Sequence, residues 1–194
     1  NFVRPSFVGN AVRDNKVNSR QNYSDFITGK WGVTLTPFRG LSLSANIGLT
    51  NENTRYNALY SRFGSQSSTD GLAYVSHERT FAVNNQYLAE YKTDFGGSAH
   101  SFNILAGYEM YSLKEQFMEG QNDRLFDPYI GELGNADGNS SKQISSYTAD
   151  YITQGFLARA QYEYGNRYFA SASFRRDGSS RFAPGHRWGN FGSV

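Results

Sequence analysis

The chain contains the run Leu41-Ser42-Leu43-Ser44-Ala45-Asn46-Ile47-Gly48-Leu49-Thr50, in which apolar and polar side chains alternate without a break. A period of two places successive side chains on opposite faces of an extended strand. The run therefore predicts a β-strand with one apolar and one polar face. Upstream, Trp31, Val33 and Leu35 occupy alternate positions, and residues 37–40 separate the two runs. Together they predict a β-hairpin with a short turn.

The same alternation returns along the rest of the chain. Residues 86–92 and 101–110 form one pair of runs around an Asp-Phe-Gly-Gly turn, and residues 156–164 and 168–175 form another around Gly165-Asn166. In each run one face is apolar and aromatic, while the other carries mostly charged and polar side chains. We predict about seven or eight strands in all.

Period alone does not separate two all-β architectures. In a soluble sandwich the apolar face packs on a second sheet, whereas in a membrane barrel it faces lipid and the polar face lines the lumen. The connections predicted near residues 53–72 and 119–146 are long and polar, and they alternate with the short turns. Alternating short turns and long loops are typical of outer-membrane barrels, so the pattern favours an antiparallel transmembrane β-barrel.

Composition agrees with this prediction and excludes other classes. The 194 residues carry a net charge of +2, which argues against a nucleic-acid-binding surface, and they include no Cys. No apolar run approaches the roughly 20 residues of a spanning helix. A mean hydropathy of −0.61 is compatible with a barrel, because only alternate residues face lipid. Aromatic residues make up 16% of the chain, enough to supply the girdles of a barrel.

A second stretch, residues 174–191, reads FRRDGSSRFAPGHRWGNF. Asp177-Gly178 and Pro184-Gly185 predict two turns, which places a loop between an outgoing strand and a strand that returns near Trp188. Four arginines are expected to crowd one side of this loop, with Asp177 paired to one of them. The residues that make up this motif are Arg175, Arg176, Asp177, Gly178, Ser179, Ser180, Arg181, Phe182, Pro184, Arg187, Trp188 and Gly189.

This stretch resembles the signature of the barrel domain in SusC/RagA-type, TonB-dependent outer-membrane transporters, with Ala183 where the family usually has Gly. The resemblance implies that residues 1–194 are part of a barrel of about 22 strands. The plug domain and the TonB-contacting segment of such transporters are expected outside this chain. Both ends of the chain look cut, so we expect a fragment.

The resemblance also implies a function and partners. It predicts the barrel portion of an importer of oligosaccharides or peptides in the cell outer membrane, in contact with lipid. It further implies a SusD-like surface lipoprotein as a lid, energy supplied through the TonB complex, and no cofactor. Tyr129, Asp177 and Arg181 are the candidate ligand or lid contacts.

Two alternatives remain open from the residues alone. One is a complete eight-stranded outer-membrane barrel with an adhesion or structural role, in which the first and last strands should pair. The other is a soluble β-rich carbohydrate-binding module.

Catalytic chemistry is not predicted. His77, His100 and His186 show no metal-ligand spacing, and no nucleophile or phosphate-binding motif occurs. Paired glycosidase carboxylates among Asp94, Glu109, Glu115 and Glu119 are one hypothesis, but the sequence shows nothing that holds two of them at a fixed separation. A calcium site built from Asp123, Asp127 and Asp137-Gly138-Asn139 is another, but Asp and Asn in loops usually cap turns.

Overall fold

The computed structural model describes residues 11–65, 70–97, 99–137 and 139–194. It contains one short helix and seven strands. In chain order they are α1 (Ala11–Val17), β1 (Ser19–Phe38), β2 (Leu41–Tyr60), β3 (Leu72–Phe95), β4 (His100–Asp123), β5 (Gln143–Tyr164), β6 (Tyr168–Ser179) and β7 (Trp188–Ser193). No helix among the described residues combines the length and hydropathy required to cross a membrane.

All seven strands belong to one sheet in which each strand pairs with its neighbours in the chain, in the order β1 to β7. This confirms the predicted all-β, antiparallel fold. A sandwich would cover the apolar face with a second sheet, but the described residues form a single sheet, and Trp31 on its apolar face is 59% exposed. The eight-stranded alternative requires that the first and last strands pair. Within the described residues, β1 and β7 do not pair with each other.

The short turns lie where the sequence predicts them. Gly40 closes the β1–β2 hairpin with a φ of +92°, and Gly165 and Asn166 have φ values of 58° and 55° in the β5–β6 turn. Both of these central residues are left-handed, as in a type I′ turn, whose twist matches that of paired strands. Gly96 and Gly97 connect β3 to β4, again with positive φ.

The long connections are shorter than predicted. Because β2 continues to Tyr60 and β3 begins at Leu72, the first spans residues 61–71, of which 66–69 lie outside the described part. The second spans residues 124–142, because β4 continues to Asp123 and β5 begins at Gln143. Of the missed strand residues, 119–123 are polar on both faces, and 58–60 are three consecutive apolar or aromatic residues. Backbone pairing holds them in the sheet without the alternation that prediction relies on.

The chain forms two compact units. The first comprises Asn1–Phe26, Glu52–Thr80 and Glu115–Ala149, and the second comprises Ile27–Asn51, Phe81–Lys114 and Asp150–Val194. Each unit is built from segments of several strands. They are described separately below.

The first unit contains a small core where the loop of residues 124–142 packs on the sheet. Leu59, Ala73 and Leu125 are buried together, and Leu133 and Ala136 pack against them. The Asn135 amide Nδ2 donates to the carbonyl oxygens of Asp127 and Ile130 at 2.7 and 2.8 Å, which fixes the loop internally. The loop therefore covers the face of β2 and β3 that carries Leu59 and Ala73.

Helix α1 is tied to the connection after β2. Asp14 accepts a 2.7 Å hydrogen bond from the backbone N–H of Ser65 and another from the Ser65 hydroxyl. These bonds hold the pKa of the Asp14 carboxyl below its usual value. The Asn18 Oδ1 accepts a further bond from the N–H of Ser61 at 2.9 Å.

The apolar face of the second unit carries two rows of aromatic rings. In the first row the Tyr87, Tyr108, Phe156 and Trp188 rings follow one another at centroid distances of 6.4, 5.0 and 6.1 Å. The second row lies beside the short turns. There the rings of Phe95, His100, Tyr164 and Tyr168 follow at 4.8, 4.7 and 6.3 Å.

The distance between the two aromatic rows is close to the height of the apolar band in outer-membrane barrels. Phe156 and Tyr164 lie eight positions apart on β5, with Ala158 and Ala160 between them on the same face. Eight residues extend about 26 Å, or about 20 Å along the membrane normal for a strand tilted by about 40°. Aromatic girdles flank an apolar band of roughly 25 Å in outer-membrane barrels. The rows therefore lie where girdles are expected.

Candidate functional site: a polar network beneath the signature loop

The signature residues do not all lie in a loop. Strand β6 runs to Ser179, so Arg176, Asp177, Gly178 and Ser179 are strand residues. Asp177 is paired with Gly155 of β5 and with Gly189 of β7. The predicted Asp177-Gly178 turn is therefore wrong.

Gly178 is needed for packing and not for a turn. A Cβ atom at this position would approach the Trp188 ring to 2.8 Å, and Trp188 is its cross-strand partner on β7. The glycine thus leaves room for the indole. Because a Gly in a strand and a Gly in a turn look alike in sequence, the dipeptide signal was misleading.

The loop itself spans residues 180–187. Ser180 fastens its beginning to β5, because the backbone N–H of Ser180 donates to the Ile152 carbonyl and the Ile152 N–H donates to the Ser180 hydroxyl, both at 2.9 Å. The Pro184-Gly185 turn is confirmed, with Gly185 at a φ of +87°. Arg187 donates from Nε to the Phe182 carbonyl at 3.1 Å, and β7 begins at Trp188, as predicted.

The arginines of the signature are separated and do not crowd one side. Arg175 and Arg176 are successive strand residues and so point to opposite faces. The Arg176 guanidinium lies 5.1 Å from the Trp188 ring centroid, and that of Arg181 lies 3.8 Å from the Tyr151 ring centroid. Only Arg175 pairs with Asp177, donating from Nε at 2.8 Å to both carboxylate oxygens.

Arg175 and Asp177 belong to a network that crosses the polar face of the second unit. Arg175 Nη2 also contacts Glu109 Oε2 of β4 at 3.1 Å. The other Glu109 oxygen accepts a 2.8 Å hydrogen bond from Gln86 Nε2 on β3. Asn46 of β2 donates in turn to Gln86 Oε1 at 3.2 Å. The chain of contacts therefore links β2, β3, β4 and β6.

Gly155 makes this network possible on β5. A Cβ atom there would lie 2.6 Å from Asp177 Oδ1 and 3.1 Å from Arg175 Nη2, so the ion pair occupies the space above the glycine. Glu109, Arg175, Asp177 and Gly155 line part of a cavity of about 500 Å³. The network is half-exposed, with side-chain exposures of 47% for Arg175, 29% for Glu109 and 39% for Asp177.

Sequence reasoning placed Glu109 on the polar face but did not connect it to the signature. Glu109 and Arg175 are 66 positions apart, and their contact depends on the register of two strand pairs, β4–β5 and β5–β6. Gln86, Tyr151 and Gly155 were missed as partners of the signature for the same reason. The alternation along each strand could have placed all three residues on the polar face. It does not show which residues of neighbouring strands lie opposite one another.

Tyr129 lies in the first unit, in the loop of residues 124–142, and its side chain is 65% exposed. Its ring lies 6.2 Å from that of Phe63. Asp177 and Arg181 belong to the second unit. Of the three candidate contacts, Tyr129 is an exposed side chain, Asp177 is held in an ion pair and Arg181 is stacked on Tyr151.

The aspartates considered as calcium ligands accept hydrogen bonds from backbone N–H groups of the same loop. Asp123, Asp127 and Asp137 each accept a backbone N–H through Oδ1, from Ser141 at 2.6 Å, from Tyr129 at 2.8 Å and from Asn139 at 2.8 Å. They cap turns, and Gly138 lies outside the described residues. Among the residues that the structure describes, no group of three or more His, Asp or Glu side chains could hold a metal ion.

The other carboxylates are likewise paired with neighbouring strands. Glu119 accepts a hydrogen bond from the Tyr74 hydroxyl at 2.6 Å, and Glu115 accepts one from the Tyr147 hydroxyl at 2.5 Å. With Glu109 bound to Arg175, these contacts give no support to a glycosidase pair.

Comparison with known proteins agrees with the fold. No protein-family model matches the chain. TonB-dependent receptor P39 of Formosa agariphila is 24% identical over 201 residues, covering 100% of this chain and 19% of that relative. TonB-dependent receptor SusC of Bacteroides thetaiotaomicron is 32% identical over 97 residues, covering 50% of this chain and 9% of that relative. Both relatives are named as TonB-dependent receptors.

Among solved structures, the RagAB peptide transporter matches with a TM-score of 0.84 at 23% identity, over 91% of this chain and 20% of the matched chain. At this identity the match is one of fold. The chain thus spans about a fifth of the length of P39 and of the RagAB chain.

Proposed function

We propose that this chain is a barrel segment of a SusC/RagA-type TonB-dependent transporter and that it forms wall and surface loops of an outer-membrane importer; the similarity to TonB-dependent receptors and to the RagAB fold supports this. We place all 194 residues in the barrel domain. The cargo is an oligosaccharide or a peptide, a SusD-like lipoprotein is the lid, and the TonB complex supplies energy through parts of the protein outside this segment.

One observation carries the proposal. The single sheet has an exposed apolar face with two aromatic rows, and a polar face crossed by the network from Asn46 to Asp177. A lipid bilayer on the first face and a water-filled lumen on the second satisfy both sets of side chains. Strands β1 to β6 also exceed the 9–11 residues that cross a bilayer, with 24 residues each in β3 and β4 and 12 in β6.

In this mechanism the segment performs no chemistry. Cargo is captured between the lid and the surface loops, the plug rearranges, and the cargo is released into the periplasm. The described residues of the long loops, 61–65, 70–71, 124–137, 139–142 and 180–187, face outward. The turns at Gly40, Gly96 and Gly165 face the periplasm.

Cysteine labelling in intact cells tests this orientation, and the segment has no native Cys to interfere. Gly134→Cys places a thiol in the loop of residues 124–142, where an added Cβ meets nothing within 4 Å. Arg167→Cys places one in the β5–β6 turn. In the full-length protein, with any other Cys replaced, we expect a large maleimide to label Gly134→Cys at least tenfold faster than Arg167→Cys.

After permeabilisation of the outer membrane, both variants should be labelled at similar rates. This step controls for the intrinsic reactivity of the two thiols. Rapid labelling of Arg167→Cys in intact cells would show that the proposed orientation is wrong.

We also propose that Tyr129, Asp177 and Arg181 contact cargo or lid. Tyr129 is 65% exposed, and the Arg181 guanidinium is held over the Tyr151 ring, 3.8 Å from its centroid. We expect Tyr129→Ala and Arg181→Ala to lower uptake or lid affinity several-fold in the full-length protein. Uptake and lid binding at the unmodified level in both variants would remove these assignments.

A further inference from the structure

Arg176 is a cation on the apolar face of the second unit. It is paired in register with Phe156 of β5 on one side and with Asn190 of β7 on the other. Because directly paired residues of antiparallel strands share a face of the sheet, Arg176 lies at the level of the aromatic row that contains Phe156 and Trp188. Phe174, two positions earlier on the same strand and face, is half-exposed. The charge of Arg176 is therefore set among aromatic rings.

The contacts of Arg176 within the sheet leave its hydrogen-bond donors without an anion. Its guanidinium lies over the Trp188 ring, which attracts the positive charge but supplies no oxygen acceptor for the five N–H donors. Among the described residues, no carboxylate lies within ion-pair distance of Arg176, whereas Arg175 on the opposite face has two such partners. The Asn190 amide makes no side-chain hydrogen bond within the described part of the chain. Both groups are thus available to a ligand.

The place of Arg176 in the membrane determines which ligand fits. An aromatic row marks the interface where lipid headgroups meet hydrocarbon. An arginine is costly among acyl chains, but its cost falls close to zero where it reaches the headgroups. A guanidinium binds phosphate through two parallel N–H···O bonds, and the neighbouring Asn190 amide offers a further donor. The phosphate of a lipid headgroup matches this pair of side chains in charge and in hydrogen bonding.

The surface beneath Arg176 suits the acyl part of such a lipid. The register of β5 and β6 continues with Phe174 opposite Ala158 and Ala172 opposite Ala160. The small alanine side chains leave a shallow floor below the larger rings. The four residues from Arg176 to Ala172 extend about 13 Å, or about 10 Å along the membrane normal for a strand tilted by about 40°. This length is close to half of an apolar band of roughly 25 Å, which is the share of one leaflet.

We propose that Arg176 and Asn190 bind the phosphate of a lipid A molecule, with an acyl chain lying along Phe174 and Ala172. The inference rests on the proposed orientation, in which the loop of residues 180–187 faces outward. Because Arg176 lies four residues before this loop, it belongs to the outer leaflet. Lipid A, the membrane anchor of lipopolysaccharide, is the phosphate-bearing lipid of that leaflet. The barrel wall thereby holds one lipid beside the signature loop.

Binding of lipid A to the purified full-length protein in detergent tests this site. The probes are phosphorylated lipid A, the same lipid A after removal of its phosphate, and phosphatidylglycerol, and native mass spectrometry counts the bound molecules. We expect phosphorylated lipid A to bind about fivefold more tightly than the dephosphorylated form. Arg176→Gln should remove this preference, and Asn190→Ala should reduce it about twofold.

Arg159→Gln is the matched control. Arg159 lies on β5 three positions after Phe156, so it belongs to the opposite, polar face of the sheet. Its substitution removes the same charge and should leave the preference for phosphorylated lipid A unchanged. Heat-modifiable electrophoretic mobility identifies the variants that have folded. If Arg176→Gln does not fold, Asn190→Ala and the comparison of the two forms of lipid A decide.

Equal affinity for the two forms of lipid A would overturn the proposal, and so would an unchanged preference in folded Arg176→Gln. Tighter binding of phosphatidylglycerol than of lipid A would also overturn it, because the site would then belong to a glycerophospholipid.

Uptake by cells separates this result from the proposed function. If deletion of the gene abolishes uptake but the protein shows no preference for phosphorylated lipid A, the transporter assignment stands and the lipid site is wrong. If lipid A binds through Arg176 but deletion leaves uptake unchanged, the lipid site stands and the transport proposal fails.

Discussion

Replacing Gly40 by alanine should reduce the stability of the folded barrel by about 2–4 kcal/mol. Gly40 has a φ of +92°, which costs an L-residue about 1–2 kcal/mol. The added Cβ would also lie 2.3 Å from the backbone carbonyl oxygen of Lys92. Because the Lys92 N–H donates to the Gly40 carbonyl at 2.8 Å, the turn cannot move away without losing that bond. The folded fraction of full-length Gly40→Ala and its urea midpoint measure this loss.

Gly185→Ala is the matched control. Gly185 has nearly the same φ, +87°, but an added Cβ there meets nothing within 4 Å. Its substitution should show only the cost of the left-handed backbone, about 1–2 kcal/mol. If both variants lose the same stability, contact with Lys92 contributes nothing and the account of the β1–β2 turn is wrong.

The second large effect is expected for Arg175→Ala. Removing the guanidinium leaves the carboxylates of Glu109 and Asp177 on one face with no cation between them. Because all three side chains are partly exposed, solvent screens the repulsion, and we expect a loss of about 1–2 kcal/mol. The loss should shrink as the salt concentration rises. Unfolding of the full-length protein at low and high salt measures both quantities.

Arg176→Ala controls for the removal of an arginine as such. Arg176 is the next residue of the same strand, but its guanidinium stacks on Trp188 on the opposite face. Its loss should cost about 0.5–1 kcal/mol with little salt dependence. A triple variant, Glu109→Gln with Arg175→Met and Asp177→Asn, should be more stable than Arg175→Ala alone. If the triple variant is less stable than Arg175→Ala, the balance of charges does not explain the stability of the network.

The sequence predicted those features of the fold that depend on neighbouring residues. Alternation from Leu41 to Thr50 located a strand and its two faces, and Gly165-Asn166 located a turn. Strand ends were predicted less well, because residues such as Glu119 to Asp123 pair through their backbone while both faces are polar. For such residues, side-chain pattern carries no information about pairing.

The site was harder to predict, for a related reason. The contact of Glu109 with Arg175 depends on the register across β4, β5 and β6, and a shift of one residue would reverse every face. Gly155 and Gly178 lack a Cβ atom where side chains of neighbouring strands pack against the backbone. A single sequence does not reveal these contacts. The Asp177 ion pair was predicted because its partner is only two residues away.

The order of the strands in the sheet has a consequence for how the segment assembles. In the part of the chain that the structure describes, each strand bonds only to strands adjacent in the chain, so six successive hairpin closures complete this sheet. The short turns close first at little entropic cost, while the longer connections follow. Such a chain need not search for distant partners, and growth by one hairpin at a time keeps only a single unpaired edge exposed at either end. That edge is the surface a membrane assembly machinery would have to protect.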